Sequence, residues 1–313
     1  MSSRADAPAQ RPGRGAGRAR VGYLGPAGTF TEEALLSSAR EGAVEPVALA
    51  SIYDTVTAVR RGEVSLAIVP IENSLEGSIN VTLDLLADEA GEVQIVGEAL
   101  ARVRHALICA APTPLAEIDT VITHPQVPGQ CTRLLRGELA RARVLPASST
   151  AEAVRAVVRD ATPGQAAIGT ALAASIYGGT VVREHVEDRE DNETRFVWLA
   201  AAAGGGSPLA RAPLRAESRE SKTSLVFWGA GAERPGWLVR CLDEFASREI
   251  NLTKIESRPR RQRLGHYMFF ADLAGHARDA TVAQAIAGVA ERCEQVRVLG
   301  SYAAAPEPRA PGS

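Results

Sequence analysis

"VQIVGEALARVRHALICA" (93–110) is the stretch that decides the fold. Upstream of it, β-prone apolar runs alternate with helix-like segments. "VGYL" (21–24) precedes "TEEALLSSAR" (31–40), and "PVALA" (46–50) precedes "SIYDTVTAVRRG" (51–62). "SLAIVPI" (65–71) runs through "ENSLEGS" into "INVTLDLLAD" (79–88). Downstream the alternation resumes. "DTVITHP" (119–125) leads to a helix expected at about 127–139, "RVLPA" (143–147) to "STAEAVRAVVRD", and "AAIGT" (166–170) to "ALAASIYG". Such alternation reads as parallel sheets flanked by helices. The 93–110 stretch breaks it, because it is strand material with no helix inside. Two lobes joined by extended crossovers explain the break: one over about 21–100 with 185–200, the other over about 105–180.

A second break follows. "AAAGGGSPLARAPLRAESRES" (201–221) is a linker by composition. Beyond it the pattern resets with the strand "KTSLVFWGAG" (222–231). Pro235 is expected to start a helix that aligns Leu238, Cys241, Leu242 and Phe245 on one face. Strands "NLTKIESRP" (251–259) and "GHYMFFADL" (265–273) come next. A helix aligning Val282, Ile286, Val289 and Cys293 follows, and "QVRVLGSY" (295–302) closes the unit. The order is β-α-β-β-α-β, the split βαβ plan. Residues 1–20 and 304–313 read as disordered tails, the first with a transit-peptide-like bias toward Arg, Ala and Ser.

Composition narrows the function. The 313 residues are 45% apolar, enough for two or three cored domains. The first twenty residues hold five arginines and one acid, so the rest is more acidic than the whole-chain charge of −2 suggests. That argues against nucleic acid or an anionic membrane as partner. No run approaches the ~18 apolar residues of a membrane span. Four cysteines without a CxxC pair fit buried thiols in a reducing cytoplasm. There is no GxGxxG after a strand, no GxxxxGK[ST] and no HExxH.

Four segments at strand ends carry possible chemistry. "GPAGTFT" (25–31) has backbone N–H groups that suit an anion or a plain tight turn, with Thr31 as the expected N-cap. "PIENSLEGS" (70–78) gathers Asn73, Ser74, Gly77 and Ser78, and an Asx turn is the alternative. "THPQVPGQC" (123–131) offers Gln126 and Gln130; His124 and Cys131 alone make a poor metal site. "DNETRFVWLA" (191–200) places Thr194 and Arg195 where a charged loop becomes an apolar strand. Arg195 is either a fork for a carboxylate or a surface partner of the acids just upstream.

Together these motifs resemble the prephenate dehydratase family, and the unit containing "RPGWL", "INLTKIESRP" and "GHYMFFADL" resembles its ACT regulatory domain. The resemblance spans about residues 20–303. It implies a two-lobed α/β catalytic domain (21–200), like type II periplasmic binding proteins, a linker (201–221) and a ferredoxin-like ACT domain (222–303). The implied activity is loss of water and carbon dioxide from prephenate to give phenylpyruvate, a carbon–oxygen lyase reaction of phenylalanine biosynthesis. Thr194 would be the catalytic hydroxyl, with Asn73, Thr123 and Gln130 beside it. Thr29, Ser74, Gly77, Ser78, Arg195 and Phe196 would hold the substrate. No metal or organic cofactor is implied. Feedback by L-phenylalanine would act at Gly236, Leu238, Asn251, Leu252, Glu256, Ser257, Arg258 and Pro259, between subunits of a homodimer or homotetramer. Trp237 departs from the family's usual G-A-L and puts the effector pocket in question. Rival readings are an arogenate dehydratase and a non-catalytic amino-acid sensor.

Overall fold

The computed structural model describes residues 18–89, 93–202, 213–215, 220–229, 234–261 and 263–305. Most of the expected tails and of the 201–221 linker lies outside the described residues.

The first sheet has the order β2-β1-β3-β11-β5. Its strands are β1 (Ala19–Leu24), β2 (Val44–Leu49), β3 (Leu66–Asn73), β5 (Val93–Arg102) and β11 (Glu193–Ala201), and the short β4 (Gly77–Ser78) folds back on β3. β1 runs parallel to β2 and β3, whereas β11 is antiparallel to both β3 and β5. The sheet is therefore mixed, unlike the parallel sheets expected from the alternation. The crossover strand returns in the opposite direction and inserts between two strands that have no direct connection.

Alternation along β11 serves two cores at once, as the two-residue period of a strand requires. Phe196 and Trp198 pack with Leu35 of α1 (Phe30–Ser38) on one face. Val197 and Leu199 pack with Val56 and Val59 of α2 (Ile52–Arg60) and Leu83 and Leu86 of α3 (Asn80–Glu89) on the other.

The second sheet has the order β10-β6-β9-β7-β8. It comprises β6 (Ala106–Cys109), β7 (Thr120–Thr123), β8 (Arg143–Pro146), β9 (Gln165–Gly169) and β10 (Thr180–Arg183). β7 is parallel to β8 and β9, while β6 is antiparallel to β9 and β10. Helices α4 (Thr150–Asp160) and α5 (Ala171–Tyr177) accompany it. Ser149 caps α4 by accepting from the Glu152 amide at 3.0 Å. The helix expected at 127–139 is instead a 3-10 turn at Val127–Gly129 and a π-helical turn at Leu134–Glu138. Pro128, Gly129 and Gly137 weaken α-helical continuity there.

The third sheet, order β13-β14-β12-β15, is antiparallel throughout. It is formed by β12 (Ser221–Trp228), β13 (Leu252–Pro259), β14 (Tyr267–Ala274) and β15 (Gln295–Ala303), with α6 (Trp237–Ala246) and α7 (Ala280–Ala290) on one face. Pro235 lies before α6, whose N-cap is Gly236 at φ 76°, and Cys293 lies beyond the end of α7. Cys241 and Cys293, far apart in sequence, bring their sulfurs to 3.8 Å.

The other face of this sheet docks on the first. Val226, Phe270, Leu299 and Tyr302 belong to the same core as Val197 and Leu199. The approach is close enough that a Cβ on Gly300 would lie 2.1 Å from the Ile95 carbonyl oxygen. Overpacking of this kind costs about 1–3 kcal/mol. Gly300→Ala is therefore expected to lower the thermal unfolding midpoint by several degrees. Gly137→Ala, where nothing lies within 4 Å, serves as the control and should leave it nearly unchanged.

Candidate active site

The site begins with the antiparallel pair of β3 and β11, where Thr194 stands opposite Asn73. The carboxamide of Asn73 has one orientation. Its Oδ1 accepts from the backbone amides of Leu75 (3.0 Å) and Glu76 (2.9 Å), an Asx turn at the strand end. Its Nδ2 must then face the other way, where it donates to Thr194 Oγ1 at 2.9 Å and to Asn192 Oδ1 at 2.8 Å. Thr194 receives a hydrogen bond on its oxygen, so its own proton is directed elsewhere. Asn73 is buried, and Thr194 is half-buried.

The second lobe joins through Gln130. Asn192 Nδ2 donates to Gln130 Oε1 at 3.3 Å, and Gln130 Nε2 reaches Glu76 Oε1 at 3.4 Å. His105 Nε2 lies 3.1 Å from Gln130 Oε1. A carboxamide oxygen only accepts, so His105 is the Nε2–H tautomer. Its buried Nδ1 has no partner among the described residues. Burial lowers the His105 pKa, so the ring is a neutral donor. Phe30 meets it edge to face, with centroids 5.3 Å apart. Asn192 and His105 were not singled out in the sequence. The available signals were a carboxamide inside a run of acids and a histidine inside an apolar strand.

Three of the acids around Thr194 are occupied locally. Asp188 accepts from the Thr132 (2.7 Å) and Arg133 (2.9 Å) amides, Asp191 pairs with Arg189, and Glu193 with Arg102.

Other expected site residues lie elsewhere, and three are corrections. Arg195 points to the opposite face of β11 and is neither a cleft fork nor a surface partner of the upstream acids. Its Nε donates to Glu98 at 2.7 Å, Nη1 to Asp272 at 2.5 Å and Nη2 to Tyr302 at 2.8 Å. Burial disfavours its charge, but Tyr302, Asp272 and Glu98 more than restore it. Ser78 faces the third sheet: its hydroxyl donates to Glu256 at 3.1 Å and accepts from Lys254 at 2.9 Å. Thr29, not Thr31, caps α1. Its Oγ1 donates to the Leu24 carbonyl, while the Gly28 amide donates to Glu32 at 2.5 Å. That T-x-x-E capping arrangement occupies the amide considered for an anion.

Thr123 is buried and spends its proton on the Ile168 carbonyl at 2.8 Å. Ser74 ties the end of β3 to β11, accepting from the Glu193 amide at 3.0 Å. Gly77 supplies φ 82° at the exposed turn. Phe196 is wholly in the core under α1.

The "GPAGTF" loop is where the lobes touch. Thr170 Oγ1 donates to the Gly28 carbonyl at 2.6 Å, and Tyr177 to Ala27 at 2.8 Å. Gly28 has φ 85°, and a Cβ there would meet Ala173 at 2.7 Å. Glu33 lies at the same contact, accepting from the Leu172 amide, and burial pushes its pKa up to about 7.

In the third unit, Gly236, Trp237 and Leu238 line a cavity of about 260 Å³ with Arg234, Tyr267 and Phe269. The indole of Trp237 packs against both Phe227 and Phe269, which stack on each other, and donates to the Arg292 carbonyl at 2.7 Å. Asn251, Leu252 and Glu256–Pro259 do not line this cavity. Glu256 and Arg258 turn to the first lobe, Arg258 pairing with Asp84 at 2.9 Å, while Ser257 is exposed.

Fold and site together define a two-lobed α/β protein with a hydroxyl–carboxamide centre at its crossover and a third α/β unit docked behind it. Residues 21–203 match the family described as prephenate dehydratase. The chain belongs to the prephenate dehydratase family and is an enzyme of that kind. A prephenate dehydratase of Amycolatopsis methanolica is 40% identical over 91% of this chain and 89% of its own length. The structure of the Arthrobacter aurescens prephenate dehydratase in complex with L-Phe superposes with a TM-score of 0.79 at 36% identity, covering 91% of this chain and 89% of that one. GqqA, a quorum-quenching acylase, gives 0.80 at 27% identity, covering 93% of this chain and 100% of that one.

The raised Glu33 pKa has a thermodynamic sign. Its ordinary value is 4.5 and its folded value about 7, so the folded chain holds the extra proton between them. Its contribution is complete below 4.5 and is lost as pH rises through 7. Relative to Glu33→Gln, the parent should lose on the order of 2 kcal/mol between about pH 5 and pH 8, measured by urea unfolding.

Proposed function

We propose that the chain converts prephenate to phenylpyruvate, water and carbon dioxide, with Thr194 acting on the departing hydroxyl. The observation that carries this reading is the 2.9 Å bond from Asn73 Nδ2 to Thr194 Oγ1. As the ring carboxylate leaves as carbon dioxide, its bonding electrons enter the ring, which becomes aromatic by expelling hydroxide. A hydroxyl whose oxygen already accepts a bond presents its proton outward to that hydroxide, and solvent restores the proton afterwards. Threonine is a poor acid, so its main effect is a fixed dipole aimed at developing negative charge. Asn192 and Gln130 extend the carboxamide chain into the second lobe and bring the lobes' polar groups to one substrate.

The acylase relative does not change the assignment. Nucleophilic attack requires a base that removes the hydroxyl proton. Thr194 is bonded to an amide donor, which suits donation rather than attack.

The division proposed is a catalytic domain over 21–200, a linker over 201–221 and an ACT regulatory domain over 222–303. The four-stranded order of the third sheet with both helices on one face supports it. Phenylalanine is the proposed feedback effector, and the L-Phe complex of the Arthrobacter relative supports that. Ser257 and Pro259 stand beside the cavity-lining Phe269 and Tyr267 on the next strand but do not line the cavity themselves, and in this reading the effector site is completed between two copies. Val239, Leu264 and Tyr267, all exposed around the cavity, would be covered in such a homodimer or homotetramer.

Phenylpyruvate formation from prephenate tests the assignment. One positioned donor contributes ~3 kcal/mol, so Thr194→Ala should lower kcat at least about a hundredfold. Thr194→Ser, which keeps the hydroxyl, should stay within about tenfold of the parent. A parent that turns over arogenate but not prephenate would replace the substrate in this reading.

A further inference from the structure

Arg195 and Glu72 form the rung of the β11–β3 ladder next to the one that holds Thr194 and Asn73. The rungs face opposite ways, and the third sheet grips the second. Asp272 on β14 and Tyr302 on β15 bind the Arg195 guanidinium at 2.5 and 2.8 Å, and Lys254 on β13 binds Glu72 at 2.9 Å. Glu98 joins them from β5, bonded to Arg195 at 2.7 Å, to Lys222 at 2.8 Å and to the Ala305 amide at 2.9 Å. Three cations, Arg195, Lys222 and Lys254, thus meet three anions, Glu72, Glu98 and Asp272. The register of β11 against β3 shifts immediately after Arg195, so the regular ladder is interrupted beside the catalytic rung. Lys254 and Glu256 on β13 also bond Ser78, which closes the Asn73–Ser78 turn.

We infer that Arg195 and Glu72 are positioning residues that couple the third unit to the catalytic Thr194–Asn73 rung, one residue away on each strand. The inference rests on the reading of the third unit as the phenylalanine-binding regulator. A shift of β13 or β14 on effector binding pulls on Lys254 or Asp272. Arg195, Glu98, Asp272 and Lys254 are nearly buried and Glu72 is partly exposed, and their direct bonds carry the shift to Glu72 and Arg195. Their neighbours Asn73 and Thr194 then leave the geometry that aims the Thr194 proton. The link is energetic coupling between two sites through identified contacts, and it is reciprocal for binding.

The test uses the full-length chain with Lys254→Met, which keeps the side-chain stem, and Tyr302→Phe, which removes one hydroxyl. Asp272→Asn is the stronger change but strips charge from a buried guanidinium. Phenylalanine affinity is measured by calorimetry and phenylpyruvate formation by absorbance, on the same preparations. The variants should bind phenylalanine within about threefold of the parent, yet lose at least about fivefold of the coupling that makes it an inhibitor. Lys254→Arg should restore inhibition. A purely structural role would move affinity and inhibition together. Variants that bind and are inhibited as the parent is overturn the coupling alone. A parent that neither binds phenylalanine nor is inhibited by it overturns the regulatory reading and the coupling with it.

Discussion

The return of the chain as β11, between β3 and β5 and antiparallel to both, is the constraint on which the molecule depends. That one strand closes the first sheet, ends the crossover from the second lobe and carries Thr194. Its two faces share the labour by the simple period of a strand. Phe196 and Trp198 anchor it under α1, while Val197 and Leu199 anchor it against the third sheet. With both faces buried, a one-residue slip of β11 would turn Arg195 toward the core under α1 and exchange Phe196 and Trp198 with the smaller Val197 and Leu199. The position of the Thr194 hydroxyl is therefore a consequence of core packing several residues away.

Electrostatics divides along the same line. On the catalytic side the chain from Thr194 to His105 consists of neutral groups: a hydroxyl, two asparagine carboxamides, a glutamine and a histidine kept uncharged by burial, and it reaches a carboxylate, Glu76, through Gln130 Nε2. Directional dipoles without mobile charge suit a site that must respond only when hydroxide begins to form. On the other side of β11, beside the apolar contacts of Val197 and Leu199, lies a set of buried ion pairs. Arg195 would cost a great deal if left alone in that interior, and the carboxylates of Glu98 and Asp272 make its burial possible. The bonds of Arg195 to Glu98, Asp272 and Tyr302 add an orientation requirement to the apolar contact between the two sheets.

Much of this was legible in the sequence. Asn73 at a strand end before a Ser-Leu-Glu-Gly turn announces an Asx turn, and the structure builds one with the Leu75 and Glu76 amides. The break at 93–110 gives β5 and β6 and hence the crossover. What escaped depends on partners distant in the chain. Arg195 looked like a ligand because its acids, Glu98 and Asp272, lie far away in sequence on other strands. Ser78 looked like a substrate contact for the same reason, its partners being Lys254 and Glu256. Thr31 reads as the α1 cap because acids follow it directly, whereas the T-x-x-E spacing runs from Thr29 to Glu32 and Thr29 is the cap. The helix expected at 127–139 failed locally, where Pro128 and two glycines outweighed the apolar spacing. Trp237 could not be placed without knowing that Phe227, Phe269 and the Arg292 carbonyl would receive it.

The central claim is that the Asn73 amide aims the Thr194 proton, and exchanging the polarity of that single contact tests it most directly. Asn73→Asp is nearly isosteric and keeps an oxygen for the Leu75 and Glu76 amides, but its second oxygen accepts from Thr194 instead of donating to it. The measurement is kcat for phenylpyruvate formation at neutral pH, with folding checked by circular dichroism. The account predicts a loss of about two decades in a folded variant that still carries Thr194. A folded Asn73→Asp enzyme with kcat within a few-fold of the parent would contradict it.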